Sequence, residues 1–184
     1  MIHAEWMIKI MFSSSEMKFI KKMAKAAEMN GVSRIRDDAE RVAKLPEDSL
    51  VGQMCTAALH KYWYGNLTEY VRMRWYQNKA PHQGDGGCDL PGLNVDVKGS
   101  LMRRRRNPLD YHLLVRPAER HDGWVYVHSL IEDLSKEEVM LTGWLPEEEL
   151  PAKVVQEGIF KGAFQVGVPD LYRLPPLVTL WLTP

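Results

Sequence analysis

The sequence predicts one α/β domain whose N-terminal segment is helical. In the first 80 positions, apolar residues recur with the period of an α-helix. After Pro81 the chain changes to short apolar segments bounded by glycine and proline, which is typical of strands. The 184 residues contain no repeat and no low-complexity linker, and their number is close to the usual length of one domain. We therefore expect one domain over 1–184, with a helical extension at 1–47 and an α/β core at 48–184.

The composition excludes several classes of protein. The 24 lysines and arginines are balanced by 24 acidic residues, so any polyanion must bind to a local patch rather than to a general positive field. The two cysteines provide neither a disulfide framework nor the spacing of a zinc site. No apolar run approaches the roughly 20 residues that span a bilayer, and the N-terminus lacks the features of a signal peptide. These observations predict a cytoplasmic or nucleoid-associated protein with no membrane partner.

Start and stop signals divide the first part of the chain into four predicted helices. Ser13 followed by Glu16 is a capping-box pattern, and Asn30-Gly31 is a typical helix end. Pro46 is expected to separate the second helix from the third, because the residue before a proline avoids the helical conformation. Asn66 is expected to cap the fourth helix. The predicted helices run over 13–29, 33–44, 48–64 and 66–75.

Four segments after Pro81 are predicted to be strands: CDL, LNVDVKG, YHLLVRP and GWVYVHSLI. In the second segment apolar or small residues alternate with polar ones, as expected for a strand with two different faces. Residues 132–139 and the PEEEL segment at 146–150 are expected to be short helices, the latter because proline and acids favour a helix start. The apolar LVTLWL segment near the C-terminus is expected to return to the core.

The stretch GDGGCDLPGLNVDVKGS, residues 84–100, contains the candidate site. Asp96 and Lys98 are two residues apart on a predicted strand, so their side chains emerge on the same face. Asp89 precedes a proline-glycine turn, and a short hairpin would bring it beside Asp96.

Two converging carboxylates call for a cation, and Mg²⁺ prefers oxygen ligands. The lysine could orient or help deprotonate a water, or stabilise charge on a phosphate. The alternative is a solvated face of an ordinary hairpin, and Asp85 is interpreted as a turn former.

The D-x(6)-D-V-K pattern, with its second acid and lysine on one strand after a hairpin, resembles the active-site motif of the PD-(D/E)XK nuclease superfamily. The resemblance covers about Ser49 to Leu130 and implies a restriction-endonuclease-like core, in which helices flank a mixed central β-sheet. It implies a metal-dependent nuclease that hydrolyses DNA phosphodiester bonds, as an endonuclease or an exonuclease. By this resemblance Asp89, Asp96 and the backbone carbonyl of Val97 would be ligands of Mg²⁺, for which Mn²⁺ could substitute. Lys98 would be the catalytic lysine.

The helix upstream of the hairpin departs from the family pattern. Many members carry a glycine-glutamate pair there whose acid points at the metal, whereas this chain has Gly52-Gln53. Gln53 cannot supply a negative charge, although it could hydrogen-bond a metal-bound water. The difference leaves the number of metal ions open. It also leaves an alternative function, in which a catalytically weak or inactive nuclease fold serves in nucleic-acid binding or assembly.

A run of four arginines begins five residues after the lysine: Arg103, Arg104, Arg105 and Arg106. On a loop that leaves the active strand, these residues would meet the phosphates that flank a scissile bond, and such contacts set position rather than sequence. The alternative is a solvated loop. Three more cations are candidates to extend the patch: Arg72, Arg74 and Lys79. DNA is the predicted partner, and cleavage of both strands would require a homodimer or two encounters.

Overall fold

The computed structural model describes residues 3–35, 39–79, 89–90, 92–103, 107–158 and 161–175, which form one short strand, then three helices, then five further strands. The helices are α1 (Ser14–Ile35), α2 (Ala39–Tyr64) and α3 (Thr68–Lys79). The strands are β1 (Ile8–Met11), β2 (Val95–Leu101), β3 (His112–Val115), β4 (Val125–Ile131), β5 (Glu138–Pro146) and β6 (Phe164–Gly167). Over the described ranges, none of the helices has the length and apolar character that crossing a bilayer would demand. The predicted α/β class is confirmed.

A mixed sheet occupies the centre of the fold. In the described part of the chain its four strands are ordered β1-β5-β4-β2, with β2 parallel to β4 and the other neighbours antiparallel. β3 and β6 form a separate antiparallel ribbon. Because β2 lies at one end of this order, one side of its backbone is open to segments from outside the sheet. The strand of the candidate site is therefore an edge strand.

The central sheet is covered on both faces. Helix α2 packs on one face and α1 packs on α2, while the β3–β6 ribbon lies on the other face. Along β4, Val127 and Ile131 belong to the core on the helical side, and Tyr126 and Leu130 belong to the core beside the ribbon. A strand buried on both faces needs apolar residues at successive positions, which explains the almost continuous apolar run in β4.

Two local signals for helix ends are overridden in the structure. The capping box forms as predicted, since the amide of Ser13 donates to Oε2 of Glu16 at 2.7 Å. However, α1 continues through Asn30-Gly31 to Ile35, and Pro46 lies inside α2, so the predicted separation of the second and third helices is wrong. An internal proline costs about 3 kcal/mol and an internal glycine about 1 kcal/mol. The packing of α1 and α2 on each other and on the sheet offsets these costs.

The sequence predicts a helical N-terminal segment, but the structure shows that part of this segment is a strand. Residues 8–11 form β1, which pairs antiparallel with β5. Ile10 is buried against the helices, whereas Lys9 is exposed and its Nζ lies 3.2 Å from Oε1 of Glu138. This alternation has the period of a strand, but four residues are too few to establish it without the partner strand. The predicted extension at 1–47 therefore contributes a strand to the central sheet.

The two short helices expected at 132–139 and 146–150 are each a single 3-10 turn in the structure. These turns cover Leu134–Lys136 and Glu147–Glu149, and residues 138–139 belong to β5. Asn66 caps α3 as predicted, because its Oδ1 accepts a hydrogen bond from the amide of Thr68 at 2.8 Å. Of the predicted CDL strand, Leu90 forms an isolated bridge with Leu93, while residue 88 lies outside the described residues, as does the LVTLWL segment.

Candidate active site

A tight hairpin places Asp89 at the open edge of β2. The amide of Asp89 donates to the carbonyl oxygen of Val95 at 2.8 Å, which returns the chain alongside the strand. The Oδ2 atom of Asp89 accepts a hydrogen bond from the amide of Val97 at 2.9 Å. In a strand, the N–H and C=O of one residue point to the same side, so the carbonyl of Val97 also faces this edge. The hairpin therefore brings Asp89 to the residue between Asp96 and Lys98.

Helix α2 holds Asp89 through both its side chain and its backbone. Thr56 Oγ1 donates to Oδ1 of Asp89 at 2.8 Å, and His60 Nε2 donates to the carbonyl oxygen of Asp89 at 2.7 Å. Thr56 and His60 are buried and lie one helical turn apart on the same face. Sequence reasoning missed both residues. The signal that could have revealed them is a pair of polar residues, spaced four apart, within the apolar face of a helix.

Arg74 supplies a positive charge behind Asp89. Its Nη2 lies 3.7 Å from Oδ1 of Asp89 and donates to Oγ1 of Thr56 at 3.3 Å. The Arg74 side chain is only 12% exposed, so the expectation that it extends a surface patch is wrong. Burial, together with the nearby charge of Arg74, lowers the pKa of His60 to about 4. His60 is therefore neutral near pH 7 and donates to Asp89 as an uncharged ring.

Gln53, at the position where the PD-(D/E)XK resemblance leads us to expect an acid, is hydrogen-bonded to α3. Its Oε1 accepts a hydrogen bond from the hydroxyl of Tyr70 at 2.7 Å, and both residues are buried. The α2 residue that hydrogen-bonds the carboxylate of Asp89 is Thr56, three residues further along. A neutral hydroxyl thus lies against the carboxylate of Asp89 on the helical side.

Lys98 bridges two acids on the face of β2 opposite α2. Its Nζ lies 2.8 Å from Oδ2 of Asp96 and 3.1 Å from Oε2 of Glu119. Asp96 and Lys98 share one face of the strand, as their spacing predicts. Glu119 comes from a 3-10 turn at Pro117–Glu119, and sequence reasoning did not identify it. Nothing in the local pattern around Glu119 marks it, because its place depends on how the loop after β3 folds back over β2.

Burial and neighbouring charges set the protonation of these groups. Burial raises the pKa of Asp96, and the charges of Asp89 and Glu119 add to that rise, while Lys98 opposes it. For Lys98, burial lowers the pKa, but the charges of Asp96 and Glu119 outweigh burial and the net shift is upward. For Glu119, burial raises the pKa, but Lys98 and Arg116 together outweigh burial and the net shift is downward. Lys98 is therefore a protonated ammonium held beside two carboxyl groups.

The donors at the strand edge fit a hard divalent cation. Asp89, Asp96 and the carbonyl of Val97 offer oxygen atoms, which Mg²⁺ prefers. Within the described ranges, no group of three or more His, Cys, Asp or Glu side chains is arranged to hold a metal ion. Two carboxylates and one carbonyl would supply part of a coordination shell. Such a shell suits Mg²⁺, which usually keeps several waters and takes further oxygens from a phosphate.

The arginine run is described only at its first residue. Arg103 is exposed and forms an ion pair with Glu47 of α2. An exposed ion pair contributes about 0–1 kcal/mol to stability, so an incoming phosphate could replace Glu47 at little cost. Residues 104–106, the other three predicted DNA contacts, lie outside the described residues.

His128 is a further buried group near Lys98 that sequence reasoning missed. The two residues are register partners in the parallel strands β2 and β4. His128 is 1% exposed, and its Nδ1 lies 2.7 Å from Oγ1 of Thr142 on β5. Burial lowers the pKa of His128 to about 3, with a smaller contribution from the charge of His112. A histidine within an apolar strand is a signal that sequence analysis could have used.

Comparisons of the chain with models of protein families, with curated proteins and with solved structures give no match. The described geometry places the residues of the D-x(6)-D-V-K pattern at one strand edge. Asp89 lies beside the backbone of Val97, and Asp96 and Lys98 flank that residue along β2.

Removing the hydroxyl of Thr56 is expected to destabilise the fold. Thr56→Val keeps the side-chain shape but deletes the hydrogen bond to the buried carboxylate of Asp89. Because a buried charged acceptor loses a donor, the free energy of unfolding should fall by about 1–3 kcal/mol. Thr56→Ser retains the hydroxyl and is the matched control. Urea denaturation of the three proteins measures the difference, and equal values for Thr56→Val and Thr56→Ser would contradict the contact.

The stability of the protein is expected to fall in acid partly because of His128. The unfolded chain binds a proton on this residue below about pH 6.5. In the folded chain the pKa of His128 is lowered to about 3, so folding excludes that proton over the interval between these values. The stabilisation that comes from keeping His128 neutral is therefore complete above about pH 6.5. It is lost as the pH falls toward about 3. Urea denaturation at several pH values should show a shallower loss for His128→Gln, and parallel curves would contradict the assignment.

Proposed function

We propose that this chain is a metal-dependent nuclease that hydrolyses DNA phosphodiester bonds. The observation that carries the proposal is the 2.9 Å hydrogen bond from the amide of Val97 to Oδ2 of Asp89. It groups Asp89, Asp96 and Lys98 around one residue at an open strand edge. A solvated hairpin face would leave these acids in water, yet Asp89 is 9% exposed and Asp96 is 6% exposed. Burying two carboxylates is costly, and such groups cluster at functional sites.

The residues present suggest a division of roles. Asp89, Asp96 and the carbonyl of Val97 would hold the divalent ion, which when bound supplies a Lewis acid for the phosphate and the attacking water. Thr56 and His60 fix the position of Asp89 from the helical side.

The ammonium of Lys98 lies on the other face of β2, beside Asp96. There it can donate to a phosphate oxygen or orient a water. Its pairing with Glu119 holds the flexible lysine chain in one position, which reduces the conformational entropy lost when substrate binds.

A second candidate function is nucleic-acid binding or assembly by a nuclease-like fold without turnover. This function is favoured because cations of the protein itself already neutralise the acids of the site, so the site does not depend on a metal ion for neutralisation. Arg74 lies 3.7 Å from Asp89 and Lys98 lies 2.8 Å from Asp96, so each acid has a cation of the protein beside it. The family's helix acid is also replaced by Gln53, whose oxygen is bonded to Tyr70.

A cleavage panel distinguishes the two functions. Purified protein is incubated with linear duplex, circular duplex and single-stranded DNA in the presence of Mg²⁺, Mn²⁺ or EDTA. The wild type should cut at least one substrate with either metal and none with EDTA, and Lys98→Ala should be inactive. Lys25→Ala, which removes an exposed lysine on α1, is the control for loss of a positive charge.

The panel also has a clear negative result. If no cleavage depends on both the metal and Lys98, the nuclease proposal fails. If DNA binding is salt-dependent and survives Asp96→Ala while the wild type shows no turnover, the binding function takes its place.

A further inference from the structure

A cavity of about 670 Å³ opens beside Lys98, between the central sheet and the β3–β6 ribbon. Its walls include Lys98 and His128 from neighbouring strands and Glu119 from the turn after β3. The volume falls within the range of about 300–1,000 Å³ that is usual for small-molecule sites. The cavity is therefore large enough for one nucleotide and adjoins the candidate active site.

His128, one of the residues that line this cavity, carries a hydrogen-bonding atom that no described residue uses. Thr142 Oγ1 donates its one proton to the carbonyl oxygen of His128 at 3.2 Å, so it accepts from Nδ1 of the ring at 2.7 Å. This pattern assigns the ring proton to Nδ1 and leaves Nε2 as an acceptor. Nε2 is buried and has no hydrogen-bond partner among the described residues. A buried polar atom of this kind calls for a donor, which a ligand in the cavity can supply.

The remaining walls combine positive charge with apolar surface. Arg116 and Lys161, both exposed, contribute cations. Leu114 and Ala163 contribute apolar surface. A ligand that satisfies all these groups carries an anion, a flat or apolar body and a hydrogen-bond donor. A nucleotide has all three, in its phosphate, its base and sugar, and its amino or hydroxyl groups.

We propose that this cavity binds a single unpaired nucleotide of the DNA substrate. In this arrangement Arg116 and Lys161 contact the phosphate, Leu114 and Ala163 pack on the base or sugar, and His128 Nε2 accepts from a base or sugar donor. The choice of a nucleotide over another phosphorylated molecule rests on the proposed nuclease function. A base can enter such a pocket only after it leaves the duplex stack. The substrate class is therefore DNA with unpaired nucleotides, as in single strands and frayed or overhanging ends.

Binding of free mononucleotides tests the pocket without requiring cleavage. Calorimetric titrations in EDTA use thymidine 5′-monophosphate and deoxyadenosine 5′-monophosphate, with inorganic phosphate as the comparison ligand. At least one nucleotide should bind saturably and more tightly than inorganic phosphate. Arg116→Ala and Lys161→Ala should each weaken that binding about tenfold, the scale of one charge-assisted contact to phosphate. Lys25→Ala should bind as the wild type does.

A spectroscopic measurement tests the role of His128 in the wild-type protein, without a substitution that could prevent folding. In wild-type protein with ¹⁵N-labelled histidine, the Nε2 resonance of His128 should shift as nucleotide saturates the site, while its Nδ1 remains protonated. Absence of saturable binding, equal affinity for nucleotide and inorganic phosphate, or an unchanged Nε2 resonance would each overturn the pocket. If the chain cuts DNA but binds no mononucleotide, the pocket alone is wrong. If it binds mononucleotide but never cuts DNA, the pocket stands and the nuclease proposal is wrong.

Discussion

Asp96→Asn is expected to abolish metal-dependent DNA cleavage while leaving the chain folded. The substitution keeps the shape of the side chain but removes the negative charge from the strand edge. The rate should fall at least about 100-fold, the scale for removing one group that stabilises developing charge. Stability should fall by less than the roughly 3–5 kcal/mol that breaking a buried ion pair usually costs, because the burial cost of the Asp96 carboxylate disappears and Lys98 keeps a second acid. This second acid is Glu119, whose Oε2 lies 3.1 Å from Nζ of Lys98.

Initial cleavage rates and urea denaturation, measured on the same preparations, check both parts of this prediction. Glu132→Gln is the matched control, because it neutralises an acid whose side chain is 54% exposed. A cleavage rate for Asp96→Asn close to that of the wild type would show that Asp96 does not take part in the reaction. Loss of the folded state would show instead that the Asp96–Lys98 pair is mainly structural.

Gly99→Ala is expected to destabilise the protein by about 1–3 kcal/mol, because it overpacks the contact between β2 and α2. A Cβ atom at this position would lie 2.5 Å from Sγ of Cys55 and 3.3 Å from Cγ1 of Val51. Cys55 is fully buried, so its sulfur has little room to move. Gly99 thus lets the strand of the candidate site approach the helix that holds Asp89.

A double-mutant cycle with Cys55→Ala tests this contact. Removing the sulfur relieves the closest clash, so Gly99→Ala should cost less in the Cys55→Ala background, with a coupling of about 0.5–3 kcal/mol. Gly52→Ala in α2 is the control, since a Cβ there meets nothing within 4 Å. It should stabilise the helix by up to about 1 kcal/mol. Urea denaturation measures the four proteins of the cycle and the Gly52→Ala control, and additive effects at Gly99 and Cys55 would contradict the close approach.

Local signals were sufficient where a short stretch of chain determines its own geometry. The shared face of Asp96 and Lys98 follows from the period of a strand, and the hairpin at Asp89 follows from the adjacent proline-glycine turn. The same local reasoning failed at Pro46 and at residues 8–11. There, contacts with distant elements outweigh the intrinsic preference of the backbone.

The sequence by itself determined the α/β class, the strand that carries Asp96 and Lys98, and the position of Asp89 ahead of that strand. These properties depend on side-chain periodicity and turn chemistry within a few residues. Only the tertiary structure decided which groups surround that strand: Thr56, His60, Arg74, Glu119 and His128. Their positions depend on the packing of α2 and α3 on one side and of the loop after β3 on the other. Such contacts join residues far apart in the chain, so a local pattern can mark Thr56, His60 or His128 as unusual but cannot show which groups they meet.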